Sequence, residues 1–543
     1  KLGFEQIGIM PWFFTPTHEN TPYESWNPCC DLGRLTHLKT MDFIVVRMQP
    51  DNVHAQAMIA ATGESLPRLG YLEVLAHARG KPLIAVNNPT DEHRRLNDTS
   101  DTLLLYEFFA RYTLSAFAAA PAGMTRHWYT KDYGRDERHM DLMARLNPFY
   151  GRLGRVVSPV AFVMSDEGMS HALPRPWREV WRTYWNFAHA LLFREGLPFL
   201  TLSAGTIAQT IKCFPEIRVV VVSEYSPIAQ EEVEFLRKWL AKNSARRLIY
   251  FGSRNGFRFE HGTLYADFKN LPSEQVELFG LNSRVPLMTV LNDATVRLNF
   301  AGENSADAFL GPSANVPSEG GYARPLDSAW LPGATIETLY LAGDDPKTPV
   351  IWRNRIEGGG EAIFVGLSLD GGGEVFPLAK LLRAAAGSKL RRPILADFSR
   401  GLLWNTTSNG YVVVANASGE DQSFKLRVGK WTWWDARQRR IVDVSAPQTV
   451  PVLDFCVLRR LNQKDLFVDV EGALLLEKIV QRGEQLNLRG RFAPTMRLWL
   501  RETPKCVKVG GQTLKMEMVG EQAAPCVEVK GLPRGRIEME VNF

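Results

Sequence analysis

Hydrophobic positions along this chain change their period twice. Over residues 1–150, short apolar runs of β type alternate with stretches of helical spacing. The runs at 4–14, 43–47 and 81–86 read as strands, the last broken by Asn87, Asn88 and Pro89. Residues 69–78 have helical spacing and stop at Gly80; 103–112 read as a helix, and 114–128 hold a fourth strand. Strand, helix, strand at this spacing predicts parallel β/α units.

The pattern restarts at Val156. Residues 160–164, 199–200, 217–222 and 247–251 read as strands, with helices at 177–195 and 226–242. The unbroken β-branched run at 217–222 is that of a buried parallel strand, and Gly196 is a helix C-cap signal. A late strand at 362–366 and a helix at 376–386 close a doubly wound domain. The Gly- and Asn-rich stretch at about 253–345 reads as an insertion or a set of loops. After Ala396 helical periodicity disappears. Alternating apolar and polar positions with Gly, Asn and Pro turns predict two small β-sandwich domains, 393–462 and 463–543.

Composition narrows the class without naming one. The chain has 543 residues, 45% hydrophobic and 23% charged, which excludes disorder and collagen-like repeats. Its formal charge of +5 is spread over the whole length and lacks the concentrated stripe of a nucleic-acid binder. No stretch of about 18 uninterrupted apolar residues predicts a membrane span. The first residue is Lys1, not Met, which reads as a processed or truncated start. None of the six cysteines forms a C-x-x-C pair; Cys506 and Cys526 bridge in an oxidising compartment or stay as two buried thiols. Asn97, Asn405 and Asn416 begin N-x-S/T sequons, and the compartment stays open between secreted or periplasmic and cytoplasmic.

The common catalytic fingerprints are missing. The sequence has no Walker loop, no G-x-S-x-G elbow and no H-E-x-x-H. The triple glycines at 358–360 and 371–373 read as turns, and the ten histidines are scattered. Neither a metal nor an organic cofactor is indicated.

The order of segments carries a resemblance. "LEVLAHARGK" at 72–81 followed by "PLIA", "AAAPAGMTRHWY" at 118–129, "RVVSPVAFVMSDE" at 155–167 and the run from "YVVVAN" at 411–416 to Trp434-Asp435-Ala436 are similar to stretches of glycoside hydrolase family 42 β-galactosidases. The resemblance implies the C-terminal part of a (β/α)8 barrel at 1–152, a Rossmann- or flavodoxin-like (class I amidotransferase-like) domain used for trimerisation at 153–392, and the two β-sandwich domains. The partners it implies are a carbohydrate and either a homo-oligomer or a second chain that completes the barrel.

A retaining glycosidase needs two carboxyl groups about 5–5.5 Å apart, at the C-terminal ends of barrel strands. In the resembled family an Asn-Glu pair follows strand four and a Glu ends strand seven. This chain has no Asn-Glu pair, and the expected nucleophile position is Asn87, an amide that cannot form the glycosyl ester. Asp91 and Glu92, a few residues on, are the candidates for that role; Glu19, Glu24 and Asp51 are other carboxylates on the same side, better read as solvated loop charges. Trp12, Phe13, Trp26, His127, Trp128 and Tyr129 are expected just after strand ends, where aromatic faces stack on sugar C–H faces or pack the barrel top. Arg47, Gln49, Asn87 and Asn88 are candidates to bond hydroxyls. The Trp177, Trp181, Trp185 stripe and Trp431, Trp433 and Trp434 read as core.

Three functions are therefore weighed: a glycosidase whose barrel is completed by other residues, a non-catalytic sugar-binding or structural subunit, and an amidotransferase-like enzyme with Cys213 as nucleophile. The last lacks the glycine elbow that chemistry uses.

Overall fold

The computed structural model describes residues 12–14, 44–48, 77, 83–87, 102–119, 121, 124–127, 137–164, 197, 199–223, 228–251, 258–260, 263–265, 277–282, 288–290, 295–317, 322–324, 330–343, 345–366, 376–386, 395–398, 402–519 and 524–543. The expected helices at 69–78 and 177–195, with the Trp177 stripe, lie outside these residues apart from His77. Among the described residues no helix is long and apolar enough to cross a membrane.

The first sheet has four strands, β1 (Trp12–Phe14), β2 (Ile44–Met48), β3 (Leu83–Asn87) and β4 (Met124–His127), in sequential order. All are parallel. Helix α1 (Thr102–Ala119) precedes β4 and runs further than its sequence suggests. Residues 114–119 are helix, not strand; the strand is confined to 124–127. Ala110 and residues 113–119 of α1 are buried, so no polar stripe marks the helical period.

The second sheet follows helix α2 (Glu137–Leu146) and has nine strands. Its parallel part is β5 (Val160–Met164), β6 (Leu200–Ser203), β7 (Val219–Ser223), β8 (Arg247–Phe251) and a strand at Glu361–Val365. Their spatial order is second, first, third, fourth, fifth, the flavodoxin-like order of a doubly wound sheet. Alternate residues of each strand serve two cores. Val160, Phe162, Val219 and Val221 enter one; Ala161, Val163, Val220 and Val222 enter the other. Burial on both faces is why these runs read as continuous rather than alternating. Helix α3 (Ile207–Cys213), not foreseen, follows β6, and α4 (Gln230–Ala241) packs Val233, Leu236, Trp239 and Leu240 into the second core. The turn after α4 is closed by the triple glycine. Gly360 donates its N–H to the Leu240 carbonyl, and a Cβ at Gly359 would lie 2.2 Å from that oxygen. A helix α5 at Phe376–Ala386 matches expectation.

The stretch at 253–345 is more than loops. Strands Thr295–Phe300, Ser313–Pro317 and Thr335–Ala342, with Asp345–Arg355, extend the sheet by four antiparallel strands. Their polar positions fit an edge region exposed on one side, which resembles loop composition in sequence.

Beyond residue 395 the regular elements among the described residues are all β strands. Strands Leu395–Phe398, Gln422–Leu426 and Gln448–Val450 form one sheet; Leu402–Thr406, Tyr411–Asn416, Trp431–Asp435, Arg440–Ile441 and Phe455–Asn462 form another. Leu402, Trp404, Val412, Val414, Phe424 and Trp433 form one core. The alternate residues Leu403, Val413, Ala415, Trp434 and Val457 enter the core that holds Phe117 of α1. Trp433 and Trp434 are thus core residues, as expected. The last part has seven strands joined in one antiparallel hydrogen-bonded sheet. Its strand Gln485–Leu500 pairs with Phe467–Arg482 on one side, and on the other with Arg536–Asn542 and then Cys526–Lys530. Cys506 and Cys526 are both free thiols.

The segment 150–158 ties these parts together. Val157 N–H bonds the Thr406 carbonyl, Ser408 N–H the Arg155 carbonyl, and Leu476 N–H the Gly151 carbonyl. Arg155 is paired with Glu216 after α3. Gly151 has φ +83°, and a Cβ there would sit 2.0 Å from the Leu474 carbonyl oxygen.

Candidate functional site

Chemistry in parallel β/α sheets gathers at the carboxyl ends of the strands. In the first sheet the register fixes what meets there. Phe14 pairs with Arg47, Arg47 with Val86 and Val86 with Arg126. One position further on, Met48, Asn87 and His127 form the terminal row. Successive positions of a strand belong to opposite faces of its sheet. The sequence-derived candidates are therefore divided. Asn87 and His127 share the last row; Arg47 stands in the row before it, and Trp12 two positions further back on the same face. Trp12 is inside β1 rather than after its end, because the strand runs to Phe14. Asp91, Glu92, Trp26, Gln49, Asn88 and Trp128 lie outside the described residues. Arg126 was missed by the sequence reading. The signal was available only through the register, which sets it level with Arg47.

Several buried polar groups elsewhere have structural partners. Glu232, in the first turn of α4, accepts N–H bonds from Gly205 at 2.8 Å and Ile207 at 2.9 Å, at the start of α3. Burial pushes its carboxyl upward, and those N–H groups oppose the shift. It therefore joins two helices rather than standing free for catalysis. Cys213 is the last residue of α3, not on a strand-to-helix turn, so it does not fit a nucleophile elbow. Asp469, 1% exposed, accepts from the Tyr411 hydroxyl at 2.6 Å and the Trp434 indole at 3.3 Å, and lies 3.5 Å from Arg152. Burial and the Asp469 charge push the Tyr411 phenol well up. Among the described residues no group of three or more His, Cys, Asp or Glu could hold a metal ion. Two sequon asparagines are committed too. Asn405 caps α1 by donating to the Ala118 carbonyl at 2.5 Å, and Asn416, fully buried, donates to the carbonyls of Glu420, Val450 and Pro451.

Neither a protein-family profile nor a curated protein sequence matches this chain. Solved structures do. The β-galactosidase from Bacillus circulans sp. alkalophilus superposes with TM-score 0.55 at 15% identity, over 80% of this chain and 62% of that one. The β-galactosidase from Rahnella sp. R3 gives 0.56 at 15%, over 79% and 62%. A catalytic mutant of Gan42B, a GH42 β-galactosidase from G. stearothermophilus, gives 0.56 at 14%, over 84% and 64%. The chain thus spans less than two thirds of the length of each of these three proteins. At such identity the likeness is one of fold, a GH42 β-galactosidase-like architecture.

Proposed function

We propose that this chain is a glycoside-hydrolase-like protein acting on a β-linked oligosaccharide or galactoside by a retaining carboxylate mechanism. The observation that carries this reading is the order of its parts. Four sequential parallel strands, then a sheet of flavodoxin-like order, then β sheets, follow one another along a chain whose fold matches GH42 β-galactosidases. In this reading β1–β4 are the C-terminal part of a (β/α)8 barrel within 1–152. The doubly wound domain at 153–392 makes subunit contacts, and 393–462 and 463–543 are accessory β domains.

The substrate would lie along the carboxyl edge of β1–β4. Asn87 ends β3, and Asp91 and Glu92 follow it four and five positions later in the sequence. We assign the nucleophile to this Asp91/Glu92 pair. Trp12, Trp26 and Trp128 offer stacking faces; Arg47, Gln49, Asn88 and His127 bond hydroxyls around Asn87. The decisive experiment is aryl β-galactoside hydrolysis by the native assembly, with Glu92→Gln and Asp91→Asn variants. One of the two is expected to lose about 10³-fold or more in kcat, as loss of a nucleophile does. If both variants keep the native rate, the nucleophile assignment is wrong. Oligosaccharide binding with no turnover would instead make the chain a non-catalytic binding subunit. Light scattering tests the subunit role: a trimer is expected, and a monomer would contradict it.

A further inference from the structure

Arg47 and Arg126 stand in one row of the parallel sheet, with Val86 of β3 between them. Two strand spacings separate their backbones, about 9–10 Å. Trp12, on the adjoining strand, belongs to the same face, two positions behind that row. Across the four strands the ionisable residues are Arg47, Arg126 and His127, with no Asp or Glu. Parallel sheets are covered on both faces. A guanidinium withdrawn from water needs an anionic or strongly accepting partner. Its planar fork matches oxyanions bidentately. Two arginine positions in one row of the sheet, one position before its carboxyl edge, bring more positive charge to that edge than hydroxyl recognition requires.

We propose that this edge takes a saccharide bearing an anionic group, either a uronate carboxylate or a sulfate ester, with Arg47 and Arg126 as its charge partners. The proposal rests on the glycoside-hydrolase-like reading above and specifies the substrate class of that same site. Its rival is internal. Carboxylates further along the chain, such as Asp51 four positions after Arg47 in the sequence, would neutralise the arginines and leave no preference for charge.

The test is calorimetric titration of the full chain with three matched β-linked galacto-oligosaccharides: one neutral, one oxidised to the C6 carboxylate, one 6-O-sulfated. At least one anionic ligand is expected to bind about tenfold or more tighter than the neutral one, the gain of one charge-assisted hydrogen bond. The tighter of the two names the source of the charge. Arg126→Gln should remove most of that preference and leave neutral-ligand affinity nearly unchanged, whereas Arg47→Gln should remove the preference and also weaken the neutral ligand. Should either variant fail to fold, the native chain still decides through the methyl ester of the carboxylate ligand, which is expected to bind no better than the neutral sugar. Equal affinity for neutral and anionic ligands overturns the proposal while the glycoside reading stands. So does a preference that survives both substitutions, or, where the acid outbinds the neutral sugar, an ester that binds as tightly as the acid. Binding of none of the three ligands overturns both.

Discussion

Asp469 illustrates what single residues do here. It is a buried carboxylate surrounded by a hydroxyl, an indole and the Arg152 guanidinium. Removing one member of a buried ion pair leaves the other uncompensated, so Asp469→Ala should cost about 3–5 kcal/mol of stability. Tyr411→Phe, which removes one neutral donor, should cost about 1–2 kcal/mol. Urea unfolding of both variants checks the ranking; equal effects would deny Arg152 any dependence on Asp469. Asn416 satisfies three carbonyls from the protein interior. A glycan on Asn416 or Asn405 would destroy the contacts their amides make, so intact mass of the chain folded in a secretory host should show neither site occupied. The acid limb of stability has its own marker. Hydrogen bonds from Lys530 and then Lys515 hold the Glu517 carboxyl down to about 2, against an ordinary 4.5. A depressed carboxyl is charged in the folded chain where the unfolded one is protonated. Its contribution is therefore present above about pH 4.5 and lost as pH falls toward 2. Glu517→Gln should flatten the unfolding midpoint over that window relative to the native chain, and parallel curves would refute the assignment.

At the scale of elements, legibility followed the number of buried faces. The strands β5 and β8 and the helix α5 stand where their apolar runs and flanking turns put them. Helix α1 did not, because "LSAFAA" at 114–119 is buried all round and carries no period that separates helix from strand. One flank of α1 faces strands Leu402–Thr406 and Tyr411–Asn416, which no local pattern near residue 114 could announce. The candidate site was legible residue by residue but not as an arrangement. Asn87 and His127 were each visible at strand ends; only the register sets them in one row and Arg47 with Arg126 in another. Gly151 is the element-scale test. Its φ of +83° and the Leu474 carbonyl together forbid a side chain, so Gly151→Ala should destabilise by about 2 kcal/mol or more in thermal unfolding. A variant as stable as the native chain would mean that 150–158 can detach from the last sheet without cost.

For the whole molecule, the change from β/α spacing to β alternation conveyed the order of parts, and the polar antiparallel extension at 295–355 hid part of the second sheet. The parts are not independent. Phe117 of α1 packs edge-on against Tyr150 and Phe455, and Arg145 of α2 pairs with Asp454 at 2.6 Å. A chain ended at residue 395 would expose the buried flank of α1 to water, an aggregation-prone apolar surface. It should partition to the insoluble fraction on expression. A soluble product with a cooperative melting transition would show instead that the β sheets are dispensable to the fold.

The segment 150–158 also sets a timetable for synthesis. Arg152 waits for the Val470 carbonyl, 318 positions later in the chain. At about 5–20 residues per second on the ribosome, that delay is roughly 15–60 s. For most of it helix α1 has been made but lacks its neighbours, strands Leu402–Thr406 and Tyr411–Asn416. This protein therefore spends much of its birth as a substrate for chaperones, and slowing translation through the last β sheet would be felt first in the α/β half.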